Sequence, residues 1–231
     1  MKKSSVILLI LLPFLALALF TPWSAELDLK ISQYYYVEHH FSPPAPANWL
    51  YHYAIIPAWL VSVGALCIWM GSFLILALVK WRKVCLYLVL TLAIGSGVIV
   101  HVLLKESWGR PRPRETVQFG GQEPFRAYFQ LDFSPSTQTH RSFACGHCTM
   151  GFYFFTLMLL GKHYRRRWLF WLGTVLTFGL GIALSWARIA QGGHFLSDTL
   201  VAALVMWITA FALYIILFYK DKNERPDPKT A

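Results

Sequence analysis

The sequence predicts an all-α polytopic membrane protein: six transmembrane helices, with a cluster of chemically active side chains at the outer face. Three observations predict it. Of 231 residues, 56% are hydrophobic and only 14% are charged, whereas about a quarter of residues are charged in ordinary soluble domains. The apolar residues come in long runs nearly free of charge. The basic residues collect in alternate connecting segments.

The runs, in order, are Val6–Phe20, Ala54–Val79, Val84–Leu104, Cys148–Leu160, Trp168–Ala187 and Phe195–Phe218. A span needs roughly 18 or more apolar residues, and four of the six reach that length. Val6–Phe20 is shorter but extends through Ser4 and the Thr21-Pro22-Trp23 boundary. Lys2, Lys3, an apolar stretch and then Ser24-Ala25 also fit a cleaved signal peptide. Pro22-Trp23 is a poor approach to a cleavage site, however, and a Trp suits a membrane boundary, so a retained span is expected. Cys148–Leu160 reaches span length only if its helix starts near Cys145 and continues to Tyr164.

Charge sets the orientation. With the N-terminus inside, the inner segments are Met1–Ser5, Lys80–Lys83, Lys162–Arg167 and Lys220–Ala231. They hold 13 of the 21 Lys and Arg residues and 3 of the 11 acids. The outer segments hold 8 of each. This is the positive-inside pattern, so the net charge of +10 reads as a topology signal. Basic residues split among short loops form no nucleic-acid surface. The chain reads as one integral membrane domain over residues 1–231, without internal repeats. The tail Lys220–Ala231, with Pro226 and Pro228, is expected to be disordered and cytoplasmic.

Three outer segments remain: Glu26–Tyr53, Lys105–Ala144 and the turn Ile189–Gly193. The second is long and polar, and such loops are more often functional than idle. It opens KESWGRPRPR, placing Lys105, Arg110, Arg112 and Arg114 within ten positions, with Pro111 and Pro113 stiffening the chain around Arg112. Any one of these cations could simply snorkel to the interface. Four together on the less basic side suit phosphate, for which arginine offers bidentate recognition. At the far end of the segment, Gly146 and His147 precede an apolar helix, where free backbone N–H groups favour an anion. Arg188 and His194 bracket a turn ending Gly192-Gly193, and Asp198 follows His194 by four, on one face of a helix. A carboxylate bonded to one ring nitrogen fixes the tautomer and leaves the other to attack. A purely structural His–Asp pair is the plainer alternative. All these groups fall at outer ends of spans, and Lys105, Arg112 and Arg188 with two histidines and a carboxylate there describe a phosphoryl-transfer site. No carboxylate cluster or ligand spacing suggests Mg²⁺ or another metal.

Lys105-x6-Arg112-Pro113, then Gly146-His147, then Arg188-x5-His194-x3-Asp198 resembles the three-part signature of the type 2 phosphatidic acid phosphatases. The resemblance covers about residues 54 to 219. It implies that His194 is a nucleophile forming a phosphohistidine and that Asp198 orients it. It implies that His147 protonates the leaving oxygen and then activates water. Lys105, Arg112, Arg188 and the Gly146 N–H would hold the phosphate, with no cofactor. The middle motif departs from the family's Pro-Ser-Gly-His: here it is Ala144-Cys145-Gly146-His147. Cys145 therefore offers phosphate a weak thiol donor in place of a hydroxyl. The implied activity is hydrolysis of a membrane lipid phosphate at the periplasmic face of a bacterial inner membrane. The implied substrates are phosphatidylglycerol phosphate, undecaprenyl pyrophosphate, phosphatidic acid or lipid A. The stretch RPRETVQFGGQEPF looks similar to loops of the lipid A phosphatase branch. Phosphotransfer to a second lipid would use the same site.

Cys145-Gly146-His147-Cys148 also looks like a thiol–disulfide oxidoreductase motif, which normally needs a thioredoxin-like βαβ context. Helical membrane oxidoreductases use two outer cysteine pairs, but Cys67 falls inside a span and Cys85 near the inner face. A narrower expectation is a Cys145–Cys148 disulfide, since the spacing brings the side chains close at a helix start and the periplasm is oxidising.

Overall fold

The computed structural model describes residues 3–131 and 142–219. The expected disordered tail lies outside the described residues, as does part of the second outer segment. The molecule is mostly helical. Among the described residues, five stretches are long and apolar enough to cross a membrane: Val6–Tyr34, Ala45–Gly71, Leu76–Ser107, Arg167–Ala190 and Leu196–Phe218.

Helix α1 (Lys3–Tyr34) runs through Pro13 and Pro22 without a break. It therefore carries residues 26–34, expected in an outer connection, as helix. The chain then turns through a two-stranded hairpin, β1 (Tyr36–Val37) and β2 (His40–Phe41). Helix α2 (Ala45–Tyr53) follows, its start favoured by proline at the first turn, and α3 (Ile56–Gly71) continues it. The segment expected as the first outer connection is thus structured, not an open loop. Its α2 packs against the helix that bears Arg188.

The third stretch starts as a 3₁₀ turn (Leu76–Trp81), becomes α4 (Arg82–Thr91), and widens to π geometry over Leu92–Leu104 before α5 (Lys105–Ser107). π-helical segments are rare and occur mostly at functional sites. This one delivers His101 and Lys105 to the end of the bundle.

The short apolar run is divided between α6 (Gly146–Phe152) and α7 (Phe155–His163). Both lie against α8 (Arg167–Ala190). The approach is close: a Cβ on Gly151 would come 2.5 Å from the backbone of Gly181. Small residues allow such contact where lipid supplies no hydrophobic drive between helices. Helix α9 (Leu196–Tyr214) fills the centre, touching α1, α4, α6 and α7. Polar anchors fix it there: Tyr87 Oη donates to the Ala210 carbonyl at 3.1 Å and Trp207 Nε1 to the Leu9 carbonyl at 2.9 Å. The outward faces carry exposed Leu8, Leu19, Leu60, Ile182 and Ile216, as lipid contact requires.

Candidate active site

The site forms where α5, α6, the α8–α9 turn and α2 converge. Helix α8 ends at Ala190, and Gly192, with φ of 59°, turns the chain back. The next glycine lies flat against the Arg188 guanidinium: a Cβ on Gly193 would sit 2.3 Å from an Arg188 terminal nitrogen. Arg188 is 7% exposed. It donates to Gln191 Oε1 at 2.6 Å and lies 4.8 Å from the centre of the Tyr51 ring, while its Nε has no partner.

His194 and Asp198 meet, but not as neighbours on a helical face. Helix α9 begins at Leu196, so His194 precedes it and Asp198 lies in its first turn. From there the carboxylate reaches back: Oδ2 accepts the Phe195 N–H at 3.0 Å and lies 3.5 Å from His194 Nδ1. This is the backward reach of a capping-box acid, which satisfies an orphan donor at the helix start. At 3.5 Å the His–Asp contact is longer than a good hydrogen bond, and His194 Nδ1 is buried without a hydrogen-bond partner among the described residues. Ser142 Oγ donates to the same oxygen at 2.6 Å, and Arg110 to Oδ1 at 2.5 Å. His194 is 3% exposed. Burial pushes its pKa down to about 3, against the pull of Asp198, with Arg188 and Lys105 adding repulsion.

His147 is half-buried, in the first turn of α6. Its ring stacks on Tyr51, with centroids 4.4 Å apart and planes at 19°. Burial, then the charges of Arg188, Lys105, His101 and Arg112, push its pKa down to about 4. Lys105 and Arg188 therefore act on both histidines, and Arg112 on His147 as well. Gly146 packs on the His101 ring: a Cβ there would be 2.6 Å from that ring and 3.3 Å from Lys105 Nζ. Arg112 faces Glu115, Nε to Oε1 at 3.9 Å, and its backbone N–H donates to Glu115 Oε2 at 2.8 Å. Arg112 and Arg188, with Tyr51, Asn48 and Arg114, line an open cleft of about 400 Å³.

Cys145 is fully buried, and the structure pairs it with Cys148 as a disulfide, Cα atoms 5.3 Å apart. In that form it has no thiol hydrogen to give an anion. Cys67 and Cys85 are both unpaired, so the second pair that a membrane oxidoreductase would need is missing. Among the described residues, no group of three His, Cys, Asp or Glu side chains is arranged to hold a metal.

Sequence reasoning did not find Tyr51, His101 or Asp28. The first comes from a segment read as a connection and the second from the outer end of the apolar run Val84–Leu104 as read in the sequence. It also grouped Arg110 with the phosphate-facing cations. The structure buries Arg110 completely, against Asp28 and Asp198, because Gly109, with φ of 61°, turns the chain inward there.

Fold and site together define a membrane-embedded helical protein in which Arg188 acts on a buried His–Asp pair and also lines, with Arg112 and Arg114, an open cleft. The chain belongs to the PAP2 superfamily, whose model matches residues 85–222. It is 33% identical over 145 residues to a lipid A 4'-phosphatase of Francisella tularensis subsp. novicida, covering 62% of this chain and 63% of the relative. It is 29% identical to a lipid A 4'-phosphatase of Rhizobium leguminosarum, covering 58% and 54%. The matches thus span less than two thirds of these relatives' lengths. No solved structure matches.

Proposed function

We propose that the chain is a metal-independent lipid phosphatase that hydrolyses the phosphomonoester of a lipid A-type amphiphile at the outer face of a bacterial inner membrane, with six spans and both termini inside. The observation that carries it is the 3.5 Å approach of His194 Nδ1 to Asp198, beside a cleft lined by Arg112 and Arg188. The lipid A preference rests on the relatives' names.

With its Nδ1–H given to Asp198, His194 keeps the Nε2 lone pair for attack. It attacks phosphorus, forming a P–N bond as the P–O bond to the lipid breaks. His147 gives the leaving oxygen its proton, then takes one from the water that cleaves the phosphohistidine. Lys105, Arg112, Arg188 and the Gly146 N–H oppose charge growing on the phosphoryl oxygens. Asp198, already held by Arg110 and Ser142, opposes the charge gained by His194.

The test is phosphate release by detergent-purified protein from a panel of lipid phosphates, with chelator present, beside His194→Ala. Release from lipid A exceeding that from glycerophospholipid phosphates supports the reading. No release from any lipid, or a fixed requirement for Mg²⁺, sinks it. Release surviving in His194→Ala removes the nucleophile. Phosphate appearing on a second lipid instead of in solution makes the chain a phosphotransferase.

A further inference from the structure

We infer that Asp28, on helix α1, is a positioning residue of the site: through Arg110 and Ser197 it fixes the Asp198 carboxylate against His194. The inference rests on the proposed reaction. Asp28 lies far outside residues 85–222, the stretch matched by the family model.

The geometry is a closed network. Asp28, Arg110, Ser197 and Asp198 are all 0% exposed. Asp28 Oδ1 accepts the Ser197 N–H at 2.8 Å, and Oδ2 accepts the Ser197 hydroxyl at 2.5 Å. Arg110 donates one terminal nitrogen to Asp28 Oδ2 at 2.8 Å. Its other terminal nitrogen donates to Ser197 Oγ at 2.7 Å and Asp198 Oδ1 at 2.5 Å. Its Nε donates to the Arg126 carbonyl at 2.9 Å, and its face lies 4.4 Å from the centre of the Phe195 ring. All three guanidinium nitrogens are thus engaged, as a buried charge requires.

Each contact bears on Asp198. Oδ1 is held by Arg110, which leaves Oδ2 for Ser142, the Phe195 N–H and His194. Arg110 is in turn aimed by Asp28, because a guanidinium between two carboxylates cannot rotate without losing one of them. Asp28 also takes an orphan N–H at the start of α9, where a carboxylate is favoured by the helix dipole. Without Asp28, the first turn of α9 loses an acceptor and Arg110 loses one of its two carboxylate anchors.

A merely structural role would tie α1 to α9. The Trp207 Nε1 bond to the Leu9 carbonyl also does that and survives loss of Asp28. Ser32, one helical turn further along α1, is equally buried and its hydroxyl has no partner. Ser32→Ala therefore serves as the packing control.

The experiment compares wild type, Asp28→Ala, Asp28→Asn and Ser32→Ala. The first readout is steady-state kinetics. Asp28→Ala is expected to lower kcat about 10- to 100-fold, the usual cost of a misplaced catalytic group, with KM changed less than about twofold because phosphate contacts remain. Ser32→Ala keeps wild-type values. The second readout needs no substrate: the His194 tautomer, from nitrogen-15 NMR of histidine-labelled protein. Wild type is expected as the single Nδ1–H form, Asp28→Ala as a mixture. If Asp28→Ala does not fold, Asp28→Asn carries both readouts with the same expectation, since an amide cannot accept at both positions. Unchanged kcat with an unchanged tautomer overturns the inference, as does a rise in KM alone. If wild type releases no phosphate from any lipid, the proposed reaction fails, and the tautomer still decides the role of Asp28.

Discussion

Tyr51 stacks on His147, ring centroids 4.4 Å apart, and turns its ring to the guanidinium of Arg188 at 4.8 Å. One aromatic ring from α2 thus sets the position of two groups that lie 41 residues apart in sequence. Stacking and cation–π contacts are each worth about 1 kcal/mol, and 1.36 kcal/mol is tenfold in rate. Tyr51→Ala is expected to lower kcat/KM about tenfold. Tyr51→Phe, which keeps the ring, should stay within about threefold of wild type. A Tyr51→Phe loss as large as that of Tyr51→Ala would show that the hydroxyl, not the ring, matters.

Asp198 offers its two oxygens to different partners, Oδ1 to Arg110 and Oδ2 to Ser142, Phe195 and His194. An amide in its place keeps the shape but must present NH₂ to one set of donors. If it faces His194, Nδ1 loses its acceptor and the proton moves to Nε2, where it blocks attack. Asp198→Asn is therefore expected to cut kcat by about 10³- to 10⁴-fold, the scale seen when a carboxylate that holds a histidine tautomer becomes an amide. The measurement is single-turnover phosphate release. A loss under tenfold would mean that Asp198 serves the fold alone.

Gly146 has no room for a methyl group because the His101 ring fills the space. That ring is pinned by its own contact, Nδ1 to the Ser96 carbonyl at 2.7 Å. Overpacking of this kind costs about 1–3 kcal/mol, and here the strain falls on Lys105 and His147. Gly146→Ala should lower kcat/KM about 10- to 100-fold, and adding His101→Ala should recover part of it. If the double variant is no better than Gly146→Ala alone, the methyl group obstructs the phosphate itself and not the ring.

The candidate site residues legible in the sequence are those whose chemistry sits in short, spaced patterns: Lys105 with Arg112, Gly146 with His147, and Arg188 with His194 and Asp198. The helical bundle was visible for the same kind of reason, since span length and charge asymmetry are local properties. Tyr51 and Asp28 were not visible. Each makes its contacts across the fold, with partners 96 and 169 residues away, and nothing in the sequence near Tyr51 or Asp28 marks such contacts. Arg110 was misassigned because charge alone suggests solvent or phosphate. Only the fold reveals two buried carboxylates waiting for it. His101 was hidden by an apolar run whose π geometry is a tertiary outcome.

The Cys145–Cys148 disulfide removes the thiol hydrogen from the residue before Gly146. Its Sγ also lies 3.3 Å from the Cys148 N–H at the start of α6. Reduction should free a weak donor beside the phosphate. Dithiothreitol is then expected to raise kcat/KM about two- to fivefold, a fraction of one hydrogen bond. Cys148→Ser should show the raised value without reductant and no response to it. Equal activity in all these conditions would leave the pair with a packing role only.

The pH profile tests the division of labour between the histidines. In the free protein His147 titrates near 4 and His194 near 3, both lowered by burial and by neighbouring cations. At neutral pH both rings are thus uncharged. That suits a nucleophile, but a general acid needs a proton. The substrate can bring it: the second ionisation of a phosphomonoester lies at about pH 6. A monoanion bound beside neutral His147 has the same composition as a dianion beside protonated His147. The product of free-protein and free-substrate fractions therefore governs kcat/KM. It falls below about pH 4 as His147 takes up a proton, and above about pH 6 as the substrate loses one. A maximum between these limits is expected, with the acidic limb absent in His147→Asn and the activity of that variant much lower. The check is kcat/KM from pH 3.5 to 9 at constant ionic strength. A flat profile from 6 to 9 would mean that leaving-group protonation does not limit the rate, and an acidic limb retained in His147→Asn would assign it to another group.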